Sequence, residues 1–253
     1  MAERERRVIS LVGGGGKTTI MYALAEIFRE EGKKVIATTS THLQTPPEEI
    51  RARDMGEVRN LWKSGQIAVI GTDCEDNKNL VTGDPLAGAQ MENKKSVKKM
   101  RMPDASFLHE VLQEAEVVLI EADGAKHLPC KVPIEKEPVI IPECTDVIAV
   151  MGMDALGKSL EEVCFRKDLA VQFLNTSYKH LMAEEDIVKI LSSVQGARKG
   201  VEDREYYVVL NKCDDEIRKE RAGKIRSLLK EQGIENVMIT SHENRQNELK
   251  KYF

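Results

Sequence analysis

The stretch VISLVGGGGKTTIMYALAEIF, residues 8–28, places four consecutive glycines between two apolar segments. The segment before them, residues 8–12, is short and rich in β-branched residues, which predicts a buried strand. The segment after them carries apolar residues at helical spacing, namely Ile20, Met21, Leu24, Ile27 and Phe28. Because glycine loses more backbone freedom on folding than any other residue, the run indicates a loop whose bare backbone approaches a ligand.

The order strand, glycine loop, lysine, threonine and helix predicts a phosphate-binding loop. Backbone N–H groups can surround an anion there, and the helix N-terminus adds partial positive charge. We expect Lys17 to be catalytic, to reach the β- and γ-phosphates and to be exposed in the empty protein, while the Thr18 hydroxyl binds Mg²⁺. The residues predicted to contact the nucleotide are Gly13, Gly14, Gly15, Gly16, Lys17, Thr18 and Thr19.

One end of this loop departs from the common patterns. The pattern G-x-x-x-x-G-K-[ST] would place its first glycine at Leu11, and the first lysine of K-G-G-x-G-K-T would fall at Val12. The alternative is a flexible glycine turn that happens to precede a lysine. The strand–loop–helix context favours the phosphate loop.

The segment VVLIEADGAK, residues 117–126, predicts a buried strand with an acidic end. We expect Glu121 to be a catalytic residue and a ligand of Mg²⁺ or its water, and Asp123 to be a second candidate for Mg²⁺ or for orienting water. Gly124 completes an E-x-x-G pattern in which its N–H would contact the γ-phosphate. An exposed acidic turn after a strand is the alternative.

The segment YYVVLNKCD, residues 206–214, ends a predicted strand with N-K-x-D. The Asp214 carboxylate can accept hydrogen bonds from N1–H and the exocyclic amino group of guanine, a pair of donors that adenine lacks. The Lys212 stem can lie along the base, and Asn211 can tie the loop together. A four-letter motif also occurs by chance. Its position after a predicted strand and downstream of the phosphate loop is what favours GTP over ATP.

Composition and hydropathy patterning narrow the range of partners and cellular locations. The 253 residues carry a net charge of −4 and only 4% aromatic residues, which disfavours nucleic acid as a partner. No run approaches a membrane span, and residues 1–10 lack the apolar segment of a signal peptide. The five scattered cysteines predict reduced thiols, so we expect a cytoplasmic protein.

Apolar strands that alternate with helices predict an α/β fold with a mostly parallel sheet and helices on both faces. We expect a single P-loop NTPase domain over residues 1–253. Residues 43–101 are much too long for a plain connection, which predicts a lid-like insertion over the nucleotide.

Together, LVGGGGKTT, ATTSTHL, EADGAKHLPCKVPIEKEPVIIP, MGMDALGKSLEEVCFR and VVLNKCDD resemble the YqeC family, accessory proteins of selenium-dependent molybdenum hydroxylases. The resemblance covers nearly the whole chain. It implies a P-loop NTPase related to the nickel-chaperone GTPases of urease and hydrogenase, with a role in maturation of the molybdenum enzyme or its selenium loading. It also implies Thr39 as a switch ligand of the metal. The hydroxylase, its cofactor or a selenium donor would then be a partner.

Several questions stay open at this point. A small-molecule kinase, a nucleotidyl transferase or an ATPase would fit the same fold, and two copies of the chain could form a homodimer. Lys126, Lys131 and Arg166 could serve the site or be ordinary surface charge. His127 and Cys130 could bind a metal, but a buried cysteine that acts as a small apolar residue is favoured.

Overall fold

The computed structural model describes residues 6–74 and 98–253. Among them it forms strands β1 (Arg7–Gly13), β2 (Val35–Thr39), β3 (His42–Gln44), β4 (Arg51–Ala52), β5 (Ala68–Ile70), β6 (Thr72–Asp73), β7 (Lys99–Arg101), β8 (Val117–Glu121), β9 (Cys130–Lys131), β10 (Asp146–Gly152), β11 (Cys164–Phe165), β12 (Glu205–Asn211) and β13 (Val237–Ile239). The α-helices are α1 (Lys17–Glu30), α2 (Met55–Lys63), α3 (Ala105–Glu114), α4 (Leu160–Val163), α5 (Lys167–Leu174), α6 (Glu184–Ser192), α7 (Glu216–Glu231) and α8 (Arg245–Leu249).

Eight of the strands form one sheet in the order β13-β12-β10-β1-β8-β2-β5-β4, and every neighbouring pair in it is parallel. The α/β architecture expected from the sequence is therefore confirmed. Because parallel strands all end at the same edge, the loops after β1, β2, β8, β10 and β12 meet there.

Helices cover both faces of the sheet, and β1 shows why. Val8 and Val12 pack into the core under α2, α3, α6 and α7, whereas Ile9 and Leu11 pack into the core under α1 and α8. Side chains alternate along a strand, so an uninterrupted apolar strand buries one set on each face. The apolar stripe predicted for α1 is buried as expected.

The range predicted as an insertion, residues 43–101, divides into two parts. Strands β4 and β5 extend the main sheet, and α2 packs on it. Strands β3, β6 and β7 form a separate three-stranded antiparallel sheet. Within the range 43–101, β5 therefore pairs with β2 of the main sheet and β4 pairs with β5. The predicted lid falls partly on residues 75–97, outside the described residues, and the insertion stays a prediction.

No helix within the described ranges 6–74 and 98–253 has the length and apolar composition needed to cross a bilayer.

Candidate functional site: a glycine loop at the sheet edge

The loop between β1 and α1 takes a shape that only glycine tolerates. Gly13, Gly15 and Gly16 have φ values of +91°, +76° and +120°. A Cβ on Gly15 would lie 2.1 Å from the Gly152 nitrogen, and one on Gly13 would lie 2.5 Å from the Val150 carbonyl oxygen. Backbone conformation therefore requires Gly13, Gly15 and Gly16, and the close approach of β10 also requires Gly13 and Gly15. A Cβ on Gly14 would lie 2.7 Å from the Leu128 carbonyl oxygen.

This geometry predicts a large difference between two Gly→Ala substitutions. We expect Gly15→Ala to lower the free energy of unfolding by about 2–4 kcal/mol, because alanine must adopt a left-handed conformation and overlap β10. Gly223→Ala in α7 is the matched control, since its Cβ would have nothing within 4 Å. That control should be neutral or stabilise by up to about 1 kcal/mol. Urea unfolding measures both, and a Gly15→Ala protein as stable as the wild type would contradict this account.

The N–H groups of the loop divide into two sets. Gly13 donates to Asp123 Oδ2 at 3.1 Å, Gly14 to the Val150 carbonyl at 2.9 Å and Gly15 to the Leu128 carbonyl at 3.0 Å. The N–H groups of residues 16–19 have no acceptor in the described part of the chain. These four donors lie at the N-terminus of α1, where the helix dipole also favours an anion.

Lys17 is buried, which corrects the expectation that it is exposed in the empty protein. Its residue is only 4% exposed. The Nζ atom donates to the Gly13 carbonyl at 2.6 Å and lies 3.0 Å from Asp123 Oδ1 and 4.0 Å from Glu121 Oε1. The physical reason is that a lysine beside two carboxylates at a crowded strand edge pairs with them rather than extending into water.

The side chains of Thr18 and Glu121, both predicted to hold Mg²⁺, contact each other. The Thr18 hydroxyl donates to Glu121 Oε2 at 2.6 Å. Burial raises the pKa of Glu121, an effect that Lys17 and the Thr18 hydrogen bond partly offset. Thr39 lies beside Glu121 in the register of β2 and β8, but its hydroxyl donates to the Glu121 carbonyl at 2.8 Å. Its role as a metal ligand stays a prediction.

Asp123 and Gly124 follow Glu121 on the same edge. Asp123 is 2% exposed, and besides the Gly13 N–H and Lys17 it contacts Lys131, whose Nζ lies 3.2 Å from Oδ2. Gly124 is exposed, and its carbonyl accepts a hydrogen bond from Lys131 at 2.8 Å. Lys131 is thus not surface charge. Its apolar neighbours Cys130 and Val132 are a weak sequence signal of burial, but they do not indicate which carboxylates enclose it.

The N-K-C-D segment connects directly to the glycine loop. The Asn211 amide donates to the Gly15 carbonyl at 2.8 Å and accepts from the Thr240 hydroxyl at 3.0 Å. Lys212, at φ +64°, pairs with Asp154 at 2.8 Å. The exposed Asp214 accepts a hydrogen bond from the His242 N–H at 2.8 Å, which holds the loop after β13 in place.

A cavity of about 590 Å³ lies between the start of α1 and the loop after β13. Thr19 and Tyr22 line one side of it, and His242 and Arg245 line the other. It begins next to the free N–H groups of α1, and His242 is also the backbone partner of Asp214. The cavity therefore lies beside both predicted ends of the site, although its lining includes none of residues 13–18 or 211–214.

His127 and Cys130 do not form a metal site together with a third side chain. His127 is exposed, whereas Cys130 is fully buried with its Sγ 3.2 Å from that of Cys164. Burial agrees with Cys130 acting as a small apolar residue. Among the described residues, no three His, Cys, Asp or Glu side chains converge as a metal cage.

The parallel sheet, the glycine loop between β1 and α1, and the Lys17, Thr18 and Glu121 cluster define a P-loop NTPase fold. The chain belongs to the YqeC family, whose model, described as YqeC protein, matches residues 9–168. It is similar to an uncharacterized protein YqeC of Escherichia coli K12, with 29% identity over 204 residues, 79% of this chain and 73% of that protein. Among solved structures it is similar to the MinC:MinD cell division protein complex of Aquifex aeolicus, at 13% identity and a TM-score of 0.46, over 95% of this chain and 85% of that one.

Proposed function

We propose that the chain binds and slowly hydrolyses a nucleoside triphosphate with Mg²⁺, and that GTP is preferred to ATP. The observation that carries the proposal is the hydrogen bond from Asn211 to the Gly15 carbonyl. It connects the N-K-C-D segment directly to the phosphate loop, as expected of a site that holds phosphates at one end and a base at the other. The cavity between Thr19 and His242 supports this placement of the nucleotide.

The donor set at the loop suits Mg²⁺, which prefers oxygen ligands and is commonly held by one or two carboxylates together with substrate phosphates. Thr18 and Glu121 would hold the ion, directly or through water. When bound, it would neutralise charge that develops on the phosphates. Asp123 would orient the attacking water.

Nucleotide binding requires Lys17 to exchange its partners. In the structure its ammonium contacts the Gly13 carbonyl oxygen and Asp123. We propose that it moves to the β- and γ-phosphates, while the N–H groups of residues 16–19 surround the phosphate chain. The N–H of the exposed Gly124, next to Asp123, would then respond to the γ-phosphate.

The biological role that we propose is maturation of a selenium-dependent molybdenum hydroxylase. Membership of the YqeC family, together with the resemblance described above, supports it. The partner would be the hydroxylase, its cofactor or a selenium donor. Co-purification of the tagged chain with the hydroxylase, with and without bound nucleotide, tests this role. If no complex forms in either condition, the result counts against the role.

Isothermal titration of GTP, ATP and CTP in the presence of Mg²⁺ tests the binding proposal. We expect GTP to bind most tightly, and phosphate release from GTP to be slow. Equal affinity for all three nucleotides would refute the proposed recognition of guanine but would be consistent with the proposed phosphate site. A lack of binding by any of them would refute the proposal as a whole.

Glu121→Gln is expected to remove the gain in nucleotide affinity that Mg²⁺ provides, while affinity in EDTA stays close to that of the wild type. Glutamine keeps an acceptor for the Thr18 hydroxyl but loses the charge that a metal ion requires. Titrations with Mg²⁺ and with EDTA measure the difference. Glu205→Gln, at the opposite end of the sheet, is the matched control. A full Mg²⁺ response in Glu121→Gln would remove Glu121 from the metal site.

A kinase or nucleotidyl transferase is the second candidate, and one observation favours it. Lys126 Nζ, Lys131 Nζ and Arg166 Cζ lie 5.6, 5.8 and 4.9 Å from the centre of the Phe165 ring, close to Gly124. Lys126 and Arg166 also have positive φ values of +46° and +65°. Of these cations, Lys126 and Arg166 could hold an anionic acceptor, whereas the buried Lys131 is held by its own partners. Assays that separate released phosphate from pyrophosphate and from a phosphorylated product distinguish the two candidates.

A further inference from the structure

Lys131 is a buried ammonium that the proposed function does not use. Its side chain has no exposed area. Its Nζ lies 2.8 Å from the Gly124 carbonyl, 3.2 Å from Asp123 Oδ2 and 2.7 Å from Glu137 Oε2. The contact with the Gly124 carbonyl is a hydrogen bond, and the two carboxylates are ion-pair partners of the same ammonium.

The second carboxylate of this group is itself held in place. Glu137 Oε1 lies 2.9 Å from an Arg166 nitrogen. Burial would raise the pKa of Glu137, but the hydrogen bonds and charges of Lys131 and Arg166 outweigh it and keep the pKa below its usual value. Lys131 is therefore anchored through Glu137 and Arg166 as well as through Asp123.

Asp123 lies between two lysines that differ in their freedom to move. Lys17 contacts Oδ1 at 3.0 Å and Lys131 contacts Oδ2 at 3.2 Å. Lys17 stands at the start of α1 beside free N–H groups and can exchange its acceptors for phosphate oxygens. Lys131 cannot, because its side chain is fully buried between Asp123 and Glu137 and is hydrogen-bonded to the Gly124 carbonyl. When Lys17 leaves, Asp123 keeps only Lys131 and the Gly13 N–H.

We propose that Lys131 is a positioning residue that stays as the counter-charge of Asp123 when Lys17 transfers to the phosphates. A buried carboxylate without a partner is strongly unfavourable. Without Lys131, Asp123 would therefore retain Lys17 and nucleotide would compete poorly for it. Lys131 also donates a hydrogen bond to the Gly124 carbonyl, so the same ammonium fixes the position of the backbone after Asp123. This inference rests on the proposed function.

A double-mutant cycle on nucleotide affinity tests the proposal. GTP and ATP are each titrated, in the presence of Mg²⁺, into four proteins: the wild type, Lys131→Met, Asp123→Asn and the double variant. We expect Lys131→Met to weaken binding at least about tenfold in the wild-type background and less than about twofold in the Asp123→Asn background. A purely structural Lys131 would lower affinity equally in both backgrounds, and that result overturns the proposal, as does an unchanged affinity of Lys131→Met.

Loss of the ammonium leaves Glu137 without one partner, so Lys131→Met could fail to fold. In that case the same cycle is carried out in a Glu137→Gln background, where no carboxylate is left unpaired on that side. Circular dichroism and melting temperature report folding independently of nucleotide. If the wild type binds neither nucleotide, the proposed function fails and this inference fails with it. If the wild type binds and the cycle shows no coupling, only this inference fails.

Discussion

Lys17→Ala should lower nucleoside triphosphate affinity about a hundredfold or more, because each hydrogen bond to a charged group contributes about 1.5–3 kcal/mol and the lysine is expected to make two or more with the phosphates. The fold should survive the change. Asp123 keeps contacts with Lys131 and the Gly13 N–H, so no buried carboxylate is left without a partner. Titration with GTP and Mg²⁺ measures the loss of affinity, and thermal melting checks the fold.

Lys224→Ala is the matched control for the Lys17 experiment. Lys224 lies on the exposed face of α7 and pairs with Glu220 at 2.9 Å. It removes the same charge from the chain but should leave affinity unchanged. Comparable GTP affinity in Lys17→Ala and the wild type would mean that the glycine loop does not bind triphosphate, and the P-loop site would have to be abandoned.

Asp214→Asn is expected to reverse base preference from guanine to xanthine. An aspartate accepts hydrogen bonds from N1–H and the amino group of guanine, whereas an asparagine presents one acceptor and one donor, which match xanthine. Each exchanged hydrogen bond in a buried site contributes about 1–3 kcal/mol, so two exchanges should change the ranking of the nucleotides. Competition between GTP, ATP and XTP on both proteins measures it.

The structure makes this substitution conservative for the loop itself. Asp214 Oδ1 accepts the His242 N–H, and an asparagine oxygen can accept the same bond with one lone pair, which leaves its other lone pair and its amide nitrogen for the base. Asp215→Asn is the control, because Asp215 caps α7 through the Arg218 N–H and asparagine caps helices equally well. If the wild type prefers ATP, or if Asp214→Asn does not change the ranking, the N-K-C-D segment is an ordinary turn and the ATPase alternative is favoured.

Local patterns were sufficient for the elements that build the site. The apolar run of β1, the helical spacing of α1 and the glycines between them predicted strand, helix and loop, because period and glycine content report backbone conformation directly. Acidic and polar residues directly after β8 and β12 could be assigned to one edge, since parallel strands end together. The Thr18 and Glu121 contact follows from that logic.

Tertiary packing determined which charged side chains are buried together and which strands are neighbours in the sheet. The sequence alone could not show that β4 and β5 extend the main sheet, because strands of two or three residues carry no clear period. It also could not show that Lys17 is buried or that Lys131 is fully enclosed, since the burial of a lysine depends on which carboxylates other segments bring to it. Asp123, Glu137 and Lys131 come together only after β8, β9 and the segment that follows β9 have packed, and no local spacing encodes that meeting.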